Sequence, residues 1–263
     1  MARRRRSGRA PYNHKPSAEG LPRGNLQSEH CVLMELLSAD GQSNSVAVQA
    51  RSIAIHMMKG TVWQCARDST GSRVIQFALE VANLGHTAEL IKELHGKVLE
   101  STRSPHANYV LQKVIEVMPR ELFDFIGKEL SGFGADAARH RYGCRVMCRL
   151  IEHSASDLPL IEEILMDVGS LCVHKYAHHV VCSILEHGGE EERRQITCSL
   201  HRHLRRHIAN RNFGFLVVGV LTYCRGAEAW ALFSDLLASE RLLSLSLLGR
   251  VVLDALHKQG RRI

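Results

Sequence analysis

The sequence lacks any run of about 20 consecutive apolar residues, so no segment is expected to cross a bilayer as a helix. No secretory signal opens it, and its eight cysteines are therefore expected as free thiols in a reducing compartment. No segment alternates apolar and polar residues for long enough to argue a strand, which leaves a sheet without support. The phosphate-loop pattern G-x-x-x-x-G-K-[ST], the zinc-protease pattern H-E-x-x-H and the nucleophile elbow G-x-S-x-G are all missing. Without such a motif neither an enzyme nor a bound cofactor is expected. Acids are scarce at one end only: residues 1–24 hold seven Lys or Arg against the single acid Glu19. That segment carries +6 of the formal net charge of +7, and the remaining 239 residues carry only +1. A basic track on the body must therefore come from asymmetry between its faces.

What the chain does contain is repetition. One eight-residue frame appears as SRVIQFAL from Ser72, NYVLQKVI from Asn108, CRVMCRLI from Cys144 and HHVVCSIL from His178, with fainter copies FLVVGVLT from Phe215 and GRVVLDAL from Gly249. The starts differ by 36, 36, 34, 37 and 34 residues, a near-constant period of the kind that marks stacked supersecondary units. Positions three, four and seven are apolar in every copy, and position eight in all but the fifth, which has Thr222. Gly or Ala stands just before or within the frame at Gly71, Ala107, Gly143, Ala177 and Gly214, preceded in three copies by a histidine. The fillers, for example HTAELIKELHGKVLEST, give two more short helical patterns joined at Gly. A unit of that size has too little interior to bury its own apolar face, so neighbours must supply the core. The expected fold is all-α, an α-solenoid of stacked three-helix repeats forming an armadillo-like superhelix.

In the best-formed copy, SPHANYVLQKVIE from Ser104 to Glu116, helical spacing puts Asn108 and Gln112 on one face with Tyr109 between them. Val110, Leu111, Val114 and Ile115 fall on the other face. A base could lie on the tyrosine while its edge meets the two amides. A plain solvated helix face is the competing reading, and recurrence of the frame argues against it.

The triads Ser72-Arg73-Gln76, Asn108-Tyr109-Gln112 and Cys144-Arg145-Cys148, each early in the second helix of a unit, resemble Pumilio/PUF RNA-binding repeats. The resemblance spans about Ile53 to Leu256 and is weakest in the last two frames; six repeats are legible where family members usually have eight. It implies one base per repeat, read at its edge by frame positions one and five and stacked on by position two. Ser72 and Gln76 would then read adenine with Arg73 stacking, and Asn108 and Gln112 uracil with Tyr109 stacking. Cys144 with Arg145 matches an adenine reader, but Cys148 stands where the family has Gln, and a thiol is a weak donor. His178 and His179 can stack or bond, and Cys182 again lacks the amide. Because family members bind RNA antiparallel to the repeats, the implied element ends in U-A, as A-U-A.

Residues 1–27 read as a disordered basic tail, rich in Arg, Pro, Gly and Ser, and residues 28–263 as the repeat domain. Glu29 to Met57 has room for helices but shows no reading triad. Cys144, Cys148, His178 and Cys182 have the residue types of a zinc site, yet neighbouring helices about 8–10 Å apart keep such groups from converging on one ion. Three functions remain open: a monomeric, sequence-selective binder of mRNA untranslated regions that controls translation or stability with protein co-regulators; a sequence-tolerant RNA binder in ribosome biogenesis; and a protein-binding scaffold. The first places the protein in the cytoplasm, while the Arg3–Arg6 run offers a nuclear or nucleolar address.

Overall fold

The computed structural model describes residues 23–38, 45–154 and 159–238, together with Val252 and Asp254. Sixteen helices and no strand are present among them. They are α1 (Arg23–Leu37), α2 (Ser45–Met58), α3 (Val62–Arg67), α4 (Ser69–Val81), α5 (Leu84–Lys92), α6 (Val98–Ser101), α7 (Ala107–Val117) and α8 (Arg120–Leu130), followed by α9 (Gly134–Arg139), α10 (Gly143–Ser154), α11 (Pro159–Met166), α12 (Val168–Leu171), α13 (Ala177–His187), α14 (Glu190–His207), α15 (Arg211–Tyr223) and α16 (Ala227–Ala238).

The first four frames lie in α4, α7, α10 and α13, and each frame helix packs on the next, continuing to α15. Frame positions three, four, seven and eight form the shared core: Val74, Ile75, Ala78 and Leu79 in α4, and Val110, Leu111, Val114 and Ile115 in α7, are all buried. The same holds for Val146, Met147, Leu150 and Ile151, and for Val180, Val181, Ile184 and Leu185. The solenoid is thus built as the periodicity predicts, with one core running the length of the stack.

Three features differ from the expectation. The fifth frame starts at Gly214, not Phe215. In α15 the buried residues are Leu216, Val217, Val220 and Leu221, which takes positions three, four, seven and eight back by one residue and restores a spacing of 36 from His178. Second, the three-helix unit is not uniform. Where α8 and α9 are separate helices, the corresponding stretch before α15 is the single 18-residue α14, which has no internal glycine. Third, α1 packs on α4 as a frame helix does, with α2 beside it, so the stack begins before the first legible copy. Arg23 already belongs to α1, inside the stretch read as tail. Residues 1–22, and the sixth frame apart from buried Val252 and exposed Asp254, lie outside the described residues.

The unit joints repeat a clamp. Gly60, Gly96 and Gly132 each adopt a positive φ, of 83°, 72° and 82°, a conformation that costs glycine little. The carboxylate of Glu93 accepts from the backbone N–H groups of Gly60 and Val62, at 2.7 and 3.1 Å. Glu129 accepts from Gly96 and Val98 at 2.7 and 3.3 Å, and Glu163 from Gly132 and Gly134 at 2.6 and 2.9 Å. Each acid, carried by one unit, closes the helix start of the unit before it. The next joint drops the clamp: Arg139 binds Asp167 and Ser170 there instead. Replacing Glu129 by Ala leaves the N–H of buried Val98 without its partner and should cost about 1–2 kcal/mol. At that cost the unfolding midpoint falls by about 2–8 °C in a chain of this size, whereas Glu121→Ala on the exposed side of α8 should shift it little. Equal midpoints for the two variants in a thermal melt would remove the clamp from the account.

Candidate nucleic-acid interface

Each frame helix begins on a side-chain cap placed four residues before frame position one. Asp68 accepts from the N–H groups of Thr70 and Gly71 at the start of α4. Ser104 Oγ takes those of His106 and Ala107, and Asn210 those of Asn212 and Phe213. In the units between, the cap is an imidazole: His140 Nδ1 accepts from Tyr142 and Gly143, and His174 Nδ1 from Tyr176 and Ala177. These caps, at 68, 104, 140, 174 and 210, confirm Gly214 as the fifth start and fix the phase of every frame.

With the phase fixed, position two of successive frames is Arg73, Tyr109, Arg145, His179 and Phe215, all exposed. Tyr109 and Phe215 are large rings left 42% and 40% open to solvent. The row is connected: Arg145 Nη1 lies 3.4 Å from the Tyr109 hydroxyl, to which it donates, and the His178 ring sits 3.9 Å from His179 and 6.0 Å from Phe215 between centroids. Two open clefts lie along it. One, of about 580 Å³, is lined by Ser72, Arg73 and Gln76 of α4 and by His106 and Tyr109 across from them. The other, of about 420 Å³, is lined by Gln112, Cys144, Arg145, Cys148, Tyr176 and His179.

Position one behaves differently from the helical projection. Ser72, Asn108, Cys144 and His178 are all buried within the stack of frame helices. Ser72 and Cys144 still line their clefts, but Asn108, with no exposure at all, does not. Its Nδ2 donates to Ser104 O at 2.8 Å, and its Oδ1 accepts from Gln112 Nε2 at 2.9 Å. Asn108 therefore corrects the expectation of two equivalent outward amides. It orients Gln112, whose Nε2 is held by this bond and whose Oε1 has no part in it.

Position five carries Gln76 and Gln112, then Cys148, Cys182 and, in the corrected phase, Val218. Burial pushes the Cys148 and Cys182 thiols up to about 12, so both stay protonated at neutral pH and offer only a weak S–H donor. Position-equivalent residues in α1 are Cys31, Val32 and Glu35, all exposed, with Leu33 and Leu37 in the core. That run, CVLMELL, keeps apolar residues at positions three, four and seven, but it lies 41 residues before Ser72, outside the period by which the other frames were found. Among the described residues no cluster of three or more His, Cys, Asp or Glu is placed to hold a metal ion, and no helix is long and apolar enough to cross a membrane.

The Pumilio-family RNA binding repeat matches four segments, residues 62–95, 103–131, 136–165 and 167–201, and each holds one of the four clear frames. The chain belongs to the Pumilio/PUF family. Pumilio homolog 1 of Xenopus laevis is 32% identical over 121 residues, which is 46% of this chain and 10% of the relative. Pumilio homolog 11 of Arabidopsis thaliana is 32% identical over 96 residues, 35% of this chain and 17% of the relative. The chain therefore spans a small part of these relatives. Among solved structures, PUF-8 in complex with PBE-RNA superposes with a TM-score of 0.76 at 19% identity, covering 92% of this chain and 77% of that one. The Puf4 RNA-binding domain bound to the HO endonuclease RNA 3′ UTR recognition sequence gives 0.75 at 17%, covering 87% and 72%. At such identities the likeness establishes the Pumilio solenoid fold.

The His174 cap is expected to make this Pumilio surface sensitive to acid. An imidazole accepts at Nδ1 only when neutral, and burial, with Arg139 and His178 nearby, lowers the pKa of His174 below its usual value. An unfolded histidine takes up its proton at about pH 6.5. The cap's contribution is therefore complete above that pH and is lost as pH falls from there through the lowered folded value. Thermal melts of the wild type should show a lower midpoint at about pH 5.5 than at about pH 7.5, and His174→Asn, which installs the cap already used at Asn210, should narrow the gap. An undiminished gap in that variant would mean that other groups set the acid sensitivity.

Proposed function

We propose that the chain binds single-stranded RNA along the row from Arg73 to Phe215, with bases stacked on the position-two side chains. One observation carries this reading: five successive frame helices each expose a planar side chain at the same position, with open clefts between them. Aromatic and guanidinium planes are the groups on which unpaired bases stack, at about 1–3 kcal/mol per base. A scaffold for protein binding has no use for planar groups at one fixed register.

Selection of sequence falls to the first two frames, where Gln76 and Gln112 bring amides to the clefts. By the family resemblance these read A and U, and with Cys144-Arg145 next to them the element ends A-U-A. Acting as a monomer on such elements in untranslated regions, with recruited co-regulators, the protein would control translation or stability of mRNA in the cytoplasm. A second reading, sequence-tolerant RNA binding, is favoured by Cys148, Cys182 and Val218 at position five, since none of them can bond a base edge strongly.

Replacing Asn108 with Ser and Gln112 with Glu tests the first reading. The carboxylate would accept from the two donors on the guanine edge and repel the uracil carbonyls. Competition binding should then show preference at one RNA position moving from U to G, by roughly 5- to 150-fold for about 1–3 kcal/mol of discrimination. Binding that ignores the base at that position in both proteins would leave the sequence-tolerant reading.

A further inference from the structure

Beside Arg73 and Arg145 in the row itself, the interface has cations along its two edges, and the two sets are differently engaged. At the edge where the frame helices end, Lys113 Nζ lies 2.8 Å from Glu80 and 3.2 Å from Glu116, and Arg149 pairs with Glu116 at 3.1 Å and Glu152 at 2.6 Å. These five charges form a ladder across α4, α7 and α10 in which every cation is already neutralised. At the opposite edge, where the frame helices begin, the residue three before position one is Ser69, Pro105, Arg141, Lys175 and Arg211 in successive units. The last three are exposed, and none makes an ion pair among the described residues. Each is held over a ring instead: Arg141 over Tyr142 at 4.7 Å, Lys175 over Tyr176 at 5.2 Å and Arg211 over Phe215 at 5.6 Å. A ring face restrains a cation without occupying its N–H donors, which stay available to an anionic oxygen. Arg141 and Tyr176 line the same cleft as Gln112, Arg145 and His179, so this edge opens onto the base-stacking row.

From this asymmetry, and resting on the RNA-binding reading above, we propose that Arg141, Lys175 and Arg211 form a rail for the RNA phosphates. The rail holds the part of the strand over the third to fifth frames by charge, whatever its sequence. The uncharged positions, Ser69 and Pro105, fall in the two frames that carry amides at position five, and the cations fall in the three that do not. Base selection and phosphate anchoring are thereby assigned to different halves of one face. The positive ends of α10, α13 and α15 lie at the same edge and add to the rail's attraction for phosphate.

The test is the salt dependence of binding, followed by fluorescence anisotropy with a labelled single-stranded RNA that carries A-U-A and a 5′ extension. Each neutralised phosphate on a single strand contributes about 0.7 to the slope of log K against log salt, so the Arg141→Gln/Lys175→Gln/Arg211→Gln variant should lose about 2 from it between about 50 and 200 mM. Its preference for A-U-A over a changed element should match the wild type, and the charge-preserving Arg141→Lys/Lys175→Arg/Arg211→Lys variant should keep the full slope. A control of equal charge change, Arg202→Gln/Arg205→Gln/Arg206→Gln on the exposed end of α14, should keep most of the slope. An unchanged slope in the first variant, or an equal loss in the control, would overturn the rail while leaving RNA binding intact. Absence of any RNA binding by the wild type would overturn the RNA reading and the rail with it.

Discussion

Burial of positions three, four, seven and eight of each frame against the next helix is the constraint on which everything else depends. A helix of 11 to 13 residues such as α7 or α15 is marginal alone in water, and its stability comes from packing an apolar face. Truncating a fully buried side chain such as Leu111 or Ile115 to Ala costs about 2–5 kcal/mol. An exposed ion pair like that between Lys113 and Glu80 contributes about 1 kcal/mol at most. The core stripe therefore decides register, and the ladders and clamps refine it. Because the stripe occupies fixed positions, position two is forced outward in every unit, and the planar groups found there from Arg73 to Phe215 are thereby aligned in one row.

The residues outside that stripe are free to change, and they do so in a pattern. The cap changes from Asp68 to Ser104, His140, His174 and Asn210 while its geometry stays, because any acceptor at that point satisfies the first N–H groups. The glutamate clamp and its glycine persist through three joints and then disappear, and the following stretch fuses into α14. Amides at position five likewise stop after the second frame, just where rim cations begin. The two ends of the solenoid are thus chemically distinct although their backbones repeat.

Much of this was legible in the sequence because a period of 34–37 residues and an apolar stripe are properties of the chain itself. The solenoid, the four clear frames and the outward placement of Arg73, Tyr109, Arg145 and His179 could all be read that way. The phase of the fifth frame is not legible, because FLVVGVL is apolar throughout and contains no polar residue to mark the outward side. The frame in α1 is hidden in the sequence because its spacing to Ser72 breaks the period. The burial of Asn108 is invisible to a projection of one helix, which contains no neighbour to cover it. The histidines before three of the frames are visible as a pattern, but only the backbone N–H groups show that His140 and His174 are caps while His106 follows the cap Ser104.

On the proposed function, one face of the solenoid reads bases with its first frames and holds the rest of the strand without regard to sequence. Selection of a random single-stranded RNA pool on the purified protein at physiological salt, with sequencing of what is retained, addresses it most directly. The expected result is enrichment of one short element ending in U-A, flanked on its 5′ side by positions with no preferred base. Retention of RNA with no enriched element, or no retention at all, would contradict it.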